Sequence, residues 1–407
     1  MDAFATVEAL ARESYGRLVA YLSARSHDVA GAEDALSEAL QTALLVWPRD
    51  GVPEKPEAWL LAAARRRLID EARRSEVRDR HQPLVRQLVE DAMTLQVDEP
   101  FPDDRLKLLF LCAHPAIDAA SRTPLMLQTV LGLDAARIAS AFLVAPAAMA
   151  QRLVRAKAKI RLAGIPFSLP EPGEWPGRLE SVLEAIYAAY GTGWNHATGA
   201  DAWLQGLGTE AIWLARVLVR LLPDAPEALG LLSLMLHCEA RRPARRDAAG
   251  EFVPFSEQDP ALWAVATIKS AEELLARAAA LGSPGRFQLE AAIQSAHAHR
   301  RVTGRTDWDA ITRLYEVLLA WSPTLGAQVG HAAALAEAGR WPEAAASLDK
   351  IPAPAVAGYQ PYWAVRAHLL AGQGNREAAR EAYTRAIGLS EDEAVRRFLQ
   401  GRRQSVG

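Results

Sequence analysis

The chain has 407 residues, half of them apolar, which is ample for buried cores and leads to an expectation of about two or three domains. A formal charge of −3 excludes a globally basic nucleic-acid binder, so any such surface must be local. Two cysteines, Cys112 and Cys238, exclude a disulfide framework and point to a reducing compartment.

Ala, Leu and Arg dominate and helical periodicity recurs throughout, so the expected fold class is all-α. The first residues, Met1 to Glu8, have no basic or signal-like apolar run. The longest apolar stretch, Ala228 to Leu236, is too short to span a bilayer, so a cytoplasmic protein without a membrane partner is expected.

Residues 1–75 read as a compact helical unit. Ala3 to Ala24 is predicted to be one amphipathic helix. Ala30 to Trp47 is a second, with Glu33, Asp34 and Glu38 beside Leu36, Leu40 and Leu44. Pro48 to Lys55 reads as a loop. Pro56 suits the first turn of a third helix, where Glu57 is favourable to the dipole. That helix, Glu57 to Arg74, has a buried stripe of Leu61, Ala64, Leu68 and Ala72. Its other side carries Trp59, Arg66, Arg67, Asp70, Arg73 and Arg74. Arginines with a flat ring are what single-stranded nucleic acid needs, cations for phosphates and a platform for a base. Trp59 either stacks such a base or packs under the preceding loop.

Residues 76–104 are polar and change sign, from Arg78, Arg80 and Arg86 to Asp98, Glu99, Asp103 and Asp104. They read as a linker with one short helix around Leu84 to Ala92. Leu106 to Cys112 and Pro124 to Leu133 then open a second helical unit, residues 105–165. Cys112 and His114 are close together, but two ligands cannot hold a structural zinc, and no metal or other cofactor is expected.

Residues 135–170 hold six basic residues, Arg137, Arg152, Arg155, Lys157, Lys159 and Arg161, and no acid. Asp134 is placed to cap a short helix running to Leu143, and Val144 to Pro146 break it. In a second helix, Ala147 to Leu162, Met149, Leu153, Ala156 and Ile160 share one stripe, at about 100° per residue. Ala148, Arg152, Arg155 and Lys159 share a neighbouring stripe flanked by Gln151. A short helix, a tight turn and a second helix with a basic outer face read as a helix-turn-helix.

From Leu179 to the end, helices recur without a concentrated basic face: Leu179 to Tyr190, Glu210 to Leu222, Pro226 to Cys238, Pro260 to Leu281, Gln288 to Thr303 and Trp308 to Trp321. Glu343 and Glu377 lie 34 residues apart in similar surroundings, the period of a tetratricopeptide repeat, and Ile311, Ala345 and Ala379 keep that spacing. Residues 179–407 therefore read either as stacked helical hairpins presenting a concave groove or as an ordinary α-bundle. No Gly-rich phosphate loop, metal-ligand cluster or nucleophile motif points to an enzyme.

With these pieces placed, the first 165 residues resemble a bacterial sigma factor of the extracytoplasmic-function type. Ala32 to Leu40 resembles the segment that docks on the core of RNA polymerase, with Asp34, Leu36, Glu38 and Leu40 as its contact residues. Pro56 to Asp70 resembles the helix that grips the melted promoter element, implying roles for Trp59, Arg66, Arg67, Arg73 and Arg74. Arg137 to Ala139 and Arg152 to Lys157 resemble the helix-turn-helix that reads the upstream element. Asp103 to Leu106, Leu109 to Ala116 and Met149 to Lys157 resemble a subgroup with a long C-terminal tetratricopeptide-like extension. The resemblance implies RNA polymerase core and promoter DNA as partners. Arg152 and Arg155 would read base edges, and Lys157, Lys159 and Arg161 would contact phosphates. The extension would take a protein or ligand partner. Leu143 and Ala148 depart from the family's turn glycine and Ser or Thr, and Ala189 to Trp194 departs from a subgroup motif. The competing reading is a helix-turn-helix regulator with a sensory helical domain, which needs no polymerase.

Overall fold

The computed structural model describes residues 3–78, 103–142, 144–195 and 202–406. The fold is all-α: among the described residues the only strand-like pairing is an isolated bridge between Arg246 and Phe252. No described helix is long and apolar enough to cross a membrane. The chain divides into two compact units, Met1–Leu214 and Ala215–Gly407.

The first unit is built around α2 (Tyr15–Ser26), in which Leu18 to Ser23 are buried without interruption. A helix apolar on all sides must be covered on all sides, and α2 packs on α3 (Val29–Asp50), α4 (Pro56–Arg78), α5 (Arg105–Cys112) and α6 (Ala119–Leu131). Two helices thus stand where periodicity predicts one, because Ser14 separates α1 (Ala3–Glu13) from α2. Ser14 is buried, and its hydroxyl donates to Glu57, which also takes Arg17. Asp28 caps α3, its carboxylate accepting from the N–H groups of Ala30 and Gly31.

Two prolines expected at helix edges lie inside helices. Pro48 sits in the last turn of α3, which runs on to Asp50 and ends at Gly51 with φ of 89°. There the carbonyl freed by the missing N–H is that of exposed Leu44, where water can serve it. Pro124 lies within α6, and the carbonyl it frees, Ala120, accepts from Arg152 Nη1 at 3.5 Å. The helix expected between Leu84 and Ala92 lies outside the described residues.

Downstream, α7 (Ala135–Ala141) and α8 (Pro146–Leu162) pack on each other. The Asp134 carboxylate accepts from Arg137 N–H at 2.9 Å, the expected cap. The buried residues of α8 are Met149, Leu153, Ala156 and Ile160, the stripe read from periodicity. Cys112 is buried against Thr129, Sγ to Oγ1 3.5 Å, and burial pushes its thiol up to about 12, so it is inert core. Next, α9 (Trp175–Asn195) packs on α5 and α6, and α10 (Ala202–Leu221) follows it in the chain.

The second unit centres on α11 (Pro226–Ala240), buried on nearly every side, with α12 (Val265–Ala280) and α13 (Arg286–Ala298) against it. After the one-turn α14 (Arg300–Thr303), helical hairpins begin: α15 (Trp308–Trp321) packs on α16 (Leu325–Glu337), and α16 on α17 (Trp341–Asp349). The short α18 (Ala353–Val356) leads into α19 (Gln360–Gly372), which packs on α20 (Arg376–Leu389), and α21 (Glu393–Ser405) covers α20. Gly304, Gly339 and Gly374 all adopt the left-handed conformation at inter-helix turns. They lie 35 residues apart. The buried alanine matching Ala379 is therefore Ala344, one residue from the Ala345 expected by sequence spacing.

Candidate nucleic-acid interface

Two surfaces of the first unit carry the predicted site residues. On α3 the exposed face is a mixed stripe of Asp34, Ser37, Glu38, Gln41, Leu44 and Leu45. Leu45 is 69% exposed and Leu44 36%. Leu40 is half-buried, and Leu36 is fully buried. Leu36, expected as a contact residue, is therefore a core residue: it shares the inner face with Ala32, Ala35 and Ala39. The apolar part of the outer face lies a turn or more further on, at Leu44 and Leu45.

On α4 three consecutive arginines diverge. Arg65 turns inward, its guanidinium donating to the Tyr21 hydroxyl, while Arg66 and Arg67 are exposed. Arg67 Nε lies 2.5 Å from Glu38 Oε2, both ends about half exposed, so this strand-gripping candidate and a docking candidate form one surface pair. Such an exposed pair contributes little to stability. Trp59 is half-buried with its ring 5.3 Å from that of buried Trp47, at 70°. Of the two roles the sequence left open, packing is thus observed, against the end of α3 rather than under the loop alone. Arg73 and Arg74 lie within α4, but their side chains are outside the described residues.

On α8 the exposed stripe holds Ala148, Gln151, Arg155 and Lys159, with Arg152 half-buried beside it. Val154, which sequence reasoning missed, is 63% exposed between Gln151 and Arg155. An apolar residue on a basic helix face would have been its signal. Arg137 on α7 pairs with Asp134 at 3.3 Å.

Lys157 does not join this stripe. Its Nζ lies 2.8 Å from Glu33 Oε2 of α3, and only 15% and 8% of the two side chains remain exposed. The phosphate role expected of Lys157 is not available in this arrangement, because α3 covers its side of α8. Tyr15 donates to the other Glu33 oxygen at 3.4 Å, and Arg161 approaches Asp28 at 3.6 Å. Burial raises the Glu33 carboxyl above its ordinary range, with Lys157 opposing that shift. Among the described residues no cluster of three His, Cys, Asp or Glu could hold a metal.

Parts of the sequence match known families. Residues 10–78, which carry α2 to α4, match the sigma-70 region 2 family, and residues 178–279 match a family of unknown function, DUF6596. An uncharacterized protein of Rhizobium meliloti (strain 1021), R00370, is 36% identical over 401 residues, covering 95% of this chain and 92% of that protein. No solved structure matches. The chain therefore carries a sigma-70 region 2 domain at residues 10–78, and over its full length it belongs to one family with the uncharacterized Rhizobium meliloti protein.

Proposed function

We propose that this chain is an extracytoplasmic-function sigma factor, a cytoplasmic RNA polymerase subunit that selects promoters, and that its C-terminal extension, residues 179–407, regulates it in cis. The observation that carries this reading is the union of two surfaces in one unit. An acid-and-leucine stripe on α3 adjoins an arginine face on α4, and a separate helix-turn-helix presents a basic outer stripe. A simple repressor has no use for the first surface.

On this reading Asp34, Glu38, Leu40, Leu44 and Leu45 dock on the polymerase core, and Arg66, Arg67, Arg73 and Arg74 hold the separated strand. Gln151, Val154 and Arg155 face the major groove, where Arg reads guanine and an apolar side chain meets a thymine methyl. Arg152 reads a base edge as well, and Lys159 contacts phosphate. The chemistry is binding; the polymerase makes the bonds.

From α15 onward the second unit is built of helical hairpins, which we read as tetratricopeptide-like on their 35-residue glycine spacing. A cavity of about 460 Å³ between them, lined by Lys350, Trp363, Arg366 and Arg385 among others, supports a role in binding a protein or ligand. The test is transcription from a promoter library by core polymerase with the purified chain added. Promoter-selective transcripts that need the chain support the reading. Failure to bind core, together with sequence-specific binding to duplex DNA by the chain alone, favours a helix-turn-helix regulator.

A further inference from the structure

The hairpin array breaks its own regularity at one place. The turns from α15 to α16, α16 to α17, α19 to α20 and α20 to α21 are three residues each, whereas α17 and α19 are joined by ten, residues 350–359. Connections in helix bundles usually run about two to eight residues, and three suffice here, so the extra length has no topological need. It is nonetheless ordered. Ile351 N–H donates to the Leu348 carbonyl at 3.1 Å, Ala355 to Pro352 at 3.0 Å and Tyr359 to Val356 at 3.1 Å, with α18 as the middle turn. Together with α19 and α20, this segment walls off the cavity of about 460 Å³.

We propose that the cavity is a binding site for a small organic anion, with a flat apolar body and a carboxylate or phosphate head. Its use as a signal input to promoter selection rests on the sigma-factor reading; its chemistry does not.

Charge supplies the first support. The lining holds three cations, Lys350, Arg366 and Arg385, and one carboxylate, Asp349. Asp349 accepts from Arg366 Nη1 at 2.8 Å, and the same nitrogen donates to the Tyr362 hydroxyl at 3.0 Å. That pair cancels its own charge and fixes the guanidinium. Lys350 and Arg385 have no carboxylate partner among the described residues. A concavity with two uncompensated cations, in a chain of net charge −3, concentrates a field that composition alone does not produce. Arg presents paired donors that match the oxygens of a carboxylate or phosphate, and Lys adds a point charge.

The wall supplies the second. Ile351, Pro352 and Val356 line the cavity beside Trp363. The Trp363 indole N–H donates to the Val356 carbonyl at 2.9 Å, and its ring stands 5.2 Å from that of Tyr362 at 85°. The Arg385 guanidinium carbon lies 4.1 Å from the Trp363 ring centroid. An indole anchored at its N–H and at its edge is a fixed surface, not a side chain that swings in to fill the space, and it holds Arg385 at the cavity. Apolar walls with a few placed polar groups, in a space of about 300–1,000 Å³, are what bury small ligands.

Calorimetry on the full-length chain tests this with naphthylacetate and naphthyl phosphate, two heads on one apolar body, and with naphthylacetamide, the neutral counterpart. At least one anion should bind at a single site, about tenfold more tightly than the amide, and should weaken as salt rises. The tighter of the two names the head. Lys350→Gln and Arg385→Gln should each weaken that anion about threefold, and the double variant should bind it no better than the amide. Ala353→Trp, at an exposed lining position, should fill the space and abolish binding without touching a charge. An amide that binds as tightly as the anions overturns the proposal, as does binding by neither anion. Anion affinity unchanged in an Ala353→Trp chain of wild-type helical content overturns it too. If the chain supports no promoter-selective transcription with core polymerase, the sigma reading fails, while these titrations still decide the cavity.

Discussion

Leu45→Ala separates docking from folding on α3. Leu45 is 69% exposed, so its removal leaves the core untouched and should cost under about 0.5 kcal/mol of stability. Fully burying a leucine side chain is worth about 1.5–3 kcal/mol. If polymerase covers the exposed part of Leu45, about 1–2 kcal/mol of binding depends on it, or roughly 5- to 30-fold in Kd. Leu36→Ala is the contrasting change one helix face away. That side chain is fully buried, and its truncation should cost about 2–5 kcal/mol of stability. The assay pairs core-polymerase titration of a labelled chain with urea unfolding followed by circular dichroism. Leu45→Ala should weaken binding with an unchanged unfolding midpoint, and Leu36→Ala should lower the midpoint. A Leu45→Ala chain that binds core within twofold of wild type, or a Leu36→Ala chain that loses binding at full stability, refutes the assignment of faces.

Arg152→Ala should relax base preference at one position and cost about 1–3 kcal/mol, whereas Lys159→Ala should weaken all sequences alike and lower the salt slope by about one; identical behaviour across a promoter library would remove the distinction. Trp59→Ala should cost about 2 kcal/mol of stability because the ring is half-buried on Trp47, and an unchanged unfolding midpoint would return Trp59 to a purely base-stacking role. His297 is pushed down to about 3 by burial, with Arg241 and Arg300 adding to the shift, and its ring meets Phe255 and Trp308. An unfolded histidine titrates near 6.5, so between these values the unfolded chain binds the extra proton; stability is present above about pH 6.5 and lost as pH falls, by about 2 kcal/mol at pH 5. Urea titrations at pH 7 and 5 should show this loss shrinking in His297→Gln, and an equal loss in both chains would refute it.

Much of the fold was legible because each helix carries its own periodicity. The buried stripe of α8, the Asp134 cap and the span of α15 follow from local residues alone. Prolines misled where the surroundings could serve the carbonyl they free. Solvent reaches Leu44, and Arg152 reaches Ala120. The hairpin register slipped because Glu343 is the third residue of α17 and Glu377 the second of α20, while the turns before them, Gly339–Arg340 and Gly374–Asn375, are equally long, so matching the glutamates hides a 35-residue glycine spacing.

The site was less legible, for a reason that α3 makes concrete. Periodicity says which residues share a side of a helix; it does not say which other helix will cover that side. Glu33 and Asp34 are adjacent acids of similar local propensity, yet Glu33 is 7% exposed and Asp34 is on the surface. What divides them is a lysine distant in sequence, on the side of α8 that is neither core stripe nor open stripe. Leu36 and Lys157 were placed on outward faces for the same reason: nothing local to α3 announces that α2 and α4 cover its inner side, and nothing local to α8 announces that α3 covers the side of Lys157. The clue that α2 does carry is the run Leu18 to Ser23, too apolar for a helix covered on one side. Combined with Gly16 at its start, such a run predicts a second partner for the helix from the residues alone.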